Sequence, residues 1–411
     1  MRNAFIFLLL ALLASRSAFA QIDTTGGRYY KPIFPDVRVT RDVVYGSANT
    51  LIGLPQQLVM DIYEPAGDTA VRRPLLIMAH EGAFVQGTKS DQPMTEICTR
   101  FARLGYVTAS IDYRLLSLIQ LLLPGDTINF AKGALLATQD MRAAVRFFRK
   151  DAATNRQYRI HSGYIFAGGS SAGAFVALQT GYLDKLSEVP SFYDAAALGG
   201  LEGSNNLGYS SAVRGVVNLC GALGRREWLE AGSVPLVSLH GTNDNRVPYN
   251  SGKPGFGLPP QQLYGSGIIK VRADAVGVPN TLYTFKGANH VPYNGVSEPS
   301  VAYMDTTFRV VRDFLRPLLR QPGTIITATK AAKPSLAVQV YPTPAIDAVR
   351  LLAPGNVAFQ PREIELLDAT SRIVRRFRWS QPEFVLPRGS LKAGLYVLRG
   401  EGIVPQRIVF E

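Results

Sequence analysis

Ser171 lies inside Gly169-Ser170-Ser171-Ala172-Gly173, a G-x-S-x-G pattern. The apolar run Tyr164-Ile-Phe-Ala167 precedes it, and a helix-compatible stretch from Ala172 to Tyr182 follows. Where a strand turns sharply into a helix at such a serine, the hydroxyl is pushed outward and helix N-terminal N–H groups lie beside it. A serine hydroxyl is a weak nucleophile at neutral pH unless a base takes its proton and a carboxylate orients that base. On a strand–elbow–helix the required chain order is serine, acid, histidine. The chain has four histidines, which makes the order a sharp test. His80 and His161 precede Ser171, His240 precedes the best-placed acid, Asp244, and His290 follows it. Ser171 as nucleophile, His290 as base and Asp244 as orienting acid is therefore the expected arrangement. The backbone N–H of Ala172, with one from Gly82 or Ala83 in His80-Glu-Gly-Ala-Phe84, is expected to form an oxyanion hole. His80 is expected to brace that loop, and His161 and His240 to be structural. Taken singly, each of these features reads equally as a tight turn or a surface loop; their order and placement set them apart.

Each of these residues must follow a strand, and the pattern supplies the strands. Pro74 to Ala79 is a short, continuous apolar run, the mark of a parallel strand buried on both faces, and Tyr106 to Ile111, Tyr164 to Ala167, Val213 to Leu219 and Val234 to Leu239 also read as buried strands. Val37 to Tyr45 and Gln57 to Tyr63 precede them as strands, the second alternating, and Thr281 to Phe285 closes the set. Helical spacing predicts helices over Thr95 to Leu104, Lys132 to Lys150, Ile268 to Val276 and Val301 to Leu319. Strands alternating with helices over this length predict one α/β domain with a mostly parallel sheet. Leu115 to Leu123 is unusually apolar for a connection and reads as core or as part of a cap. Asp184 to Ser211 and Asn245 to Gly267 read as loops that wall the site, with Tyr249, Phe256 and Tyr264 as possible stacking groups. Cys220 and Trp228 either line the back of the domain or pack it.

The formal net charge is +13, but the lysines and arginines are scattered, which argues against nucleic-acid binding and for general attraction to acidic surfaces. Two cysteines, Cys98 and Cys220, leave a disulfide and two buried thiols equally open. The histidines and cysteines lack metal-ligand spacing, and no metal or cofactor is expected. Arg2, the apolar Phe5 to Ala14 and Ser17-Ala-Phe-Ala20 form a signal peptide over residues 1–20, too short to span a bilayer. An exported protein without an integral membrane segment is expected. Composition changes at Gln321: residues 321–336 read as a linker, and the short alternating segments beyond it as a small all-β sandwich.

With His80-Glu-Gly-Ala, Gly169 to Gly173, His240-Gly-Thr-Asn-Asp244 and Gly287-Ala-Asn-His290 in place, residues 21–320 resemble an α/β-hydrolase of the carboxylesterase/lipase type. The family often carries glycines where Glu81 and Ala83 stand here. The resemblance implies attack of Ser171 on an ester carbonyl, an acyl-enzyme, and its hydrolysis by water that His290 activates. Acetyl or feruloyl esters of polysaccharides and short-chain lipid or polyester substrates fit this chemistry. A serine exopeptidase of the same fold, or a non-catalytic cell-surface binding module, is the alternative. Residues 337–411 resemble the C-terminal sorting domain of the Por (type IX) secretion system, through Val340-Tyr-Pro-Thr-Pro-Ala345 and Leu391-Lys-Ala-Gly-Leu-Tyr396. That resemblance implies the type IX machinery as partner, export across the outer membrane, and release or attachment at the cell surface.

Overall fold

The structure is a computed structural model and describes residues 22–117, 126–189, 198–255, 261–320, 338–353, 359, 361–368, 372–400 and 406–411. Two compact units divide it, Met1–Ala328 and Thr329–Glu411. The signal segment, most of Leu115 to Leu123, Phe256 and the linker lie outside the described residues.

In chain order the first unit holds β1 (Val37–Asn49), β2 (Pro55–Pro65), β3 (Arg73–Ala79), α1 (Gln92–Arg103), β4 (Val107–Ile111), α2 (Asp126–Ala153), β5 (Ile160–Ser170) and α3 (Ala172–Tyr182). It continues through β6 (Gly215–Leu219), β7 (Ala222–Leu223), β8 (Leu236–Gly241), β9 (Ser251–Gly252), β10 (Leu263–Gly265), α4 (Ser266–Ala275), β11 (Asn280–Phe285) and α5 (Ser300–Arg320). Eight strands form one sheet in the order β1-β2-β4-β3-β5-β6-β8-β11. The joins β1/β2 and β2/β4 are antiparallel, and every other join is parallel. β3, β4, β5, β6 and β8 are buried along their whole length, which is why each is mostly apolar or small rather than a strict polar–apolar alternation. One face of the sheet is covered by α2 and α3, the other by α1 and α5. α1 buries Met94, Ile97, Cys98 and Phe101, the i, i+3, i+4, i+7 stripe of an amphipathic helix.

The chain runs from β3 to β4 on one side, then returns to place β5 on the other side of β3. This reversal opens a crevice at the carboxyl ends of β3 and β5, the usual ligand position in an open α/β sheet. Asn245 to Gly267, expected as a plain loop, contains β9 and β10, which pair with each other and with β7 as a small second sheet. These strands are two or three residues long and carry no periodicity to read. α2 starts six residues before Lys132 and ends three after Lys150, since loop-like Asp126 and Thr127 begin it.

The second unit is all β. β12 (Gln339–Tyr341), β13 (Ala348–Leu352) and β16 (Glu383–Pro387) form one sheet. β14 (Arg362–Asp368), β15 (Ile373–Trp379), β17 (Gly394–Gly400) and β18 (Gln406–Phe410) form the other, in the order β15-β14-β17-β18. Val349, Leu351, Ile364, Leu366, Trp379, Leu398 and Ile408 from both sheets share one core. β16 and β18 lie outside the five alternating segments that the sequence suggests for this unit: Val338 to Tyr341, Arg350 to Leu352, Glu363 to Leu367, Arg372 to Trp379 and Leu395 to Leu398. In β16 Phe384 and Leu386 turn inward between exposed neighbours, an alternation of only two positions.

Candidate active site

The elbow follows from local geometry. β5 ends at Ser170, and Ser171 adopts φ 50°, ψ −116° before α3 begins at Ala172. A left-handed φ costs a non-glycine residue about 1–3 kcal/mol and persists where surrounding structure enforces it. Here the Ser171 N–H donates to the Leu219 carbonyl at 2.8 Å, tying the elbow to β6. The glycines on either side are required by close approach. A Cβ on Gly173 would lie 2.0 Å from the Ala79 oxygen, and one on Gly169 would lie 2.2 Å from Gly173 backbone.

The structure brings Ser171, His290 and Asp244 into one hydrogen-bonded line. The Ser171 hydroxyl donates to His290 Nε2 at 2.8 Å, and His290 Nδ1–H donates to Asp244 Oδ2 at 2.7 Å. Asp244 follows β8 and His290 follows β11, so neighbouring parallel strands deliver both groups to one edge of the sheet. The buried Asp244 carboxylate is saturated: its Oδ1 accepts the N–H groups of Arg246 (2.9 Å) and Val247 (2.8 Å). Burial alone would push this carboxyl up. The hydrogen bonds from His240 and His290, with the charge of His290 when protonated, outweigh it and hold Asp244 well below the usual carboxylate range.

His240 was expected to be merely structural, and it does more. Its Nε2–H donates to the same Asp244 Oδ2 at 3.1 Å and lies 3.2 Å from the Val247 carbonyl. Its Nδ1 then accepts from the Ser266 hydroxyl at 2.8 Å, and Asn218 Nδ2 donates to Ser266 Oγ at 3.1 Å. One carboxylate oxygen thus serves two imidazoles, the second fixed from behind. The spacing His240–Asp244 was visible in the sequence, but nothing there shows that the strand end turns the ring onto the acid. His161 accepts the Gly163 N–H through Nδ1 at 3.0 Å, at the start of β5 and away from the elbow.

The loop after β3 runs beside the elbow, because Ala79 pairs with Gly169. Gly82, Ala83 and Phe84 have φ of 117°, 53° and 62°, three successive residues on the left-handed side. The Gly82 carbonyl accepts from Val85 (3.0 Å) and Gln86 (3.1 Å), closing the turn. His80 braces it: Nδ1–H donates to the Glu81 carbonyl at 2.7 Å, and the ring stacks on Tyr113 with centroids 4.2 Å apart. The backbone N–H groups of Gly82, Ala83 and Ala172 meet no acceptor among the described residues, the condition for receiving an oxyanion.

Glu81 departs most from expectation. Its carboxylate accepts the Ser170 hydroxyl at 2.9 Å and the Asn294 amide at 2.5 Å, and the Tyr293 hydroxyl reaches Ser170 Oγ at 2.8 Å. Since Ser170 spends its proton on Glu81, Tyr293 O–H is the donor in that last bond. Glu81 therefore ties the loop after β3 to the elbow and to the loop that carries His290. Burial pushes its carboxyl up, only partly offset by the Ser170 hydrogen bond. Ser170 is thus a hydrogen-bonding member of the site as well as a small residue within the elbow.

The cleft over this line has a volume of about 620 Å³ and is lined by Glu81, Gln86, Ser171, Asn245, Arg246 and His290 among others. Cys220, Asp244 and His290 bring ligand-type atoms within 4.8 Å of one another. Burial pushes the Cys220 thiol up to about 12, however, and the other two groups are spent on the serine line. Cys98 and Cys220 are both buried and unpaired by any disulfide. Of the proposed stacking aromatics, Tyr249 donates to or accepts from Thr284 Oγ1 at 2.7 Å and sets its ring edge on His240, so it packs the acid loop. Trp228 lines a separate apolar cavity with Phe130, Leu135 and Phe175.

Residues 60–224 match the BD-FAE family model. That stretch contains the loop after β3 and the elbow, and ends before Asp244 and His290. None of the curated proteins compared matches the chain. Among solved structures, esterase 2 of Thermogutta terrifontis phosphorylated by paraoxon is similar at 22% identity and TM-score 0.48, over 70% of this chain and 97% of that one. The native form of that thermophilic esterase gives 22% identity and TM-score 0.47, over 70% and 95%.

Proposed function

We propose that this protein is a carboxylesterase-type serine hydrolase that works through Ser171, His290 and Asp244. The observation that carries the reading is the continuous line from the strained Ser171 hydroxyl through His290 to a fully hydrogen-bonded Asp244. In the first half-reaction His290 Nε2 takes the Ser171 proton as Oγ attacks the ester carbonyl, then gives it to the departing alcohol oxygen. In the second, water attacks the acyl carbonyl, His290 again accepts the proton, and the carboxylic acid leaves as Ser171 is restored. Asp244 holds the Nδ1–H tautomer and stabilises the imidazolium. Ala172 with Gly82 or Ala83 supplies the N–H groups for the oxyanion, each donor worth about 10²–10³ in rate.

The polar lining of the cleft supports an ester of a hydroxyl-rich alcohol, such as an acetylated or feruloylated polysaccharide. A long lipid chain would find little apolar wall there. For residues 337–411 the motifs Val340 to Ala345 and Leu391 to Tyr396 support a sorting role in type IX export, with the enzyme released or held at the cell surface. Fusion of that unit to a periplasmic reporter, followed by cell fractionation, tests it; a reporter that stays in the periplasm refutes it.

Hydrolysis of p-nitrophenyl acetate, butyrate and longer esters, measured beside aminoacyl-p-nitroanilides, tests the reaction. Ester turnover that is lost in Ser171→Ala is expected. Absence of ester turnover in folded protein, or full turnover by Ser171→Ala, sinks the reading. Preference for the anilides would move it to the exopeptidase alternative.

A further inference from the structure

At the opposite end of β5 from Ser171 lies a second cavity, of about 650 Å³, between the β2–β3 connection, the last turn of α2 and the start of β5. Its wall contains Arg72, Arg149, Arg156, Arg159, His161 and Ser162, and no lining residue is acidic. Nearby carboxylates are engaged elsewhere. Asp68 pairs with Arg28 at 2.8 Å, Glu64 with Arg73 at 2.7 Å and with Arg38 at 2.5 Å. Asp151 turns its oxygens to the backbone N–H groups of Gln157 and Tyr158.

Arg149 sharpens this imbalance. It is 1% exposed, and its guanidinium donates to the carbonyls of Ser162, Ser210 and Ala212, with no carboxylate among its partners. Its Nε is buried and has no hydrogen-bond partner. A buried cation without a counter-charge is among the costliest arrangements in a protein interior. Here burial alone acts on the group, drawing it down to about 10. The C-terminal end of α2 offers only about half a unit of negative charge, too little to balance the guanidinium groups of Arg149, Arg156 and Arg159.

We infer that this pocket is an oxyanion site that takes a phosphate or sulfate group. Arg156 and Arg159, at the mouth, carry the planar, multidentate guanidinium groups that suit such an anion, with one amino group of Arg159 already donating to the Asp68 carbonyl at 2.9 Å, and Arg149 supplies the charge behind them. The site stands apart from the esterase reading: no residue of its wall belongs to the cleft at Ser171.

Isothermal titration calorimetry of the full chain with inorganic phosphate, inorganic sulfate and glucose 6-phosphate tests it, in low salt and with sodium chloride as the control anion. Saturable binding at about 1 mM or tighter is expected, at least about tenfold weaker in Arg156→Ala/Arg159→Ala. p-Nitrophenyl acetate turnover should be unchanged by the double variant. Equal affinity for phosphate and glucose 6-phosphate identifies a free ion as ligand; tighter binding of the sugar phosphate identifies an esterified one. Arg156→Gln alone, at an exposed side chain that makes no hydrogen bond among the described residues, gives the same reading should the double variant unfold. No saturable binding by any of the three anions, or undiminished binding by folded variants, overturns the inference.

Discussion

Gly173→Ala is the most direct test of how the elbow works, because the structure sets the size of its effect. A Cβ at this position would stand 2.0 Å from the Ala79 carbonyl oxygen, 2.5 Å from its carbon and 2.6 Å from the His80 oxygen. Ordinary carbon–oxygen contact needs roughly 3.3 Å, so about 1.3 Å must be found. The obstacle is backbone at the end of β3, which is paired to β4 on one side and β5 on the other. β3 cannot retreat, and the elbow must move away from it. Movement of that size breaks the 2.8 Å Ser171–His290 hydrogen bond and widens the gap between Ala172 and the loop at Gly82. Misplacement of a reacting group by about 1 Å costs about 100-fold in rate, and overpacking of this kind costs about 1–3 kcal/mol of stability. kcat/KM for p-nitrophenyl acetate is therefore expected to fall about 100-fold, with a lower midpoint in urea unfolding. Gly208→Ala, where a Cβ meets nothing within 4 Å, is the matched control. Activity of Gly173→Ala within about threefold of wild type, at unchanged stability, would refute the reasoning.

Asp244 is held low in the folded state, so it contributes stability that is present above the unfolded carboxylate pKa and lost as pH falls. Asp244→Asn should be less stable than wild type at pH 7, with the gap closing in urea titrations taken below about pH 4. Glu81 has the opposite sign: its carboxyl is raised, and its contribution fades as pH rises through the folded value. Glu81→Gln should gain stability relative to wild type between pH 4 and pH 8, and a variant that loses ground to wild type over that range contradicts the burial argument. His240→Phe removes one charge-assisted hydrogen bond to Asp244 and should lower kcat about tenfold with little change in KM; an unaltered kcat would make that bond incidental. Ellman's reagent should find no reactive thiol in native protein and two after unfolding, since both cysteines are buried and unpaired and burial pushes each up to about 12.

The sequence revealed the sheet most clearly where burial is two-sided. β3, β4, β5 and β8 announce themselves as mostly apolar runs, and β3, β5 and β8 are each followed within a few residues by a polar group that the structure brings to the cleft. Chain order then selected Asp244 and His290 without any knowledge of distance. What stayed hidden depends on side chains meeting across long separations. Glu81 reaches Asn294 over 213 residues, and no local pattern marks a glutamate that bridges three loops. The anion pocket was hidden likewise, because scattered arginines gather only when the β2–β3 connection, α2 and β5 come together. In the second unit β16 and β18 escaped because two inward positions apiece, Phe384 and Leu386 or Ile408 and Phe410, are too few to stand out from a loop.

β11 is the outermost strand of the large sheet, partly open to solvent and held by one neighbour, β8. His290, the proposed base, hangs from its carboxyl end, while Ser171, the proposed nucleophile, hangs from β5, three places inward. Edge strands fray at lower free energy than the strands they border. The proposed catalytic line thus spans parts of the domain with unequal resistance to opening, and its weakest member is a peripheral one. Loss of activity on heating should report the peeling of one strand, well before the sheet as a whole gives way.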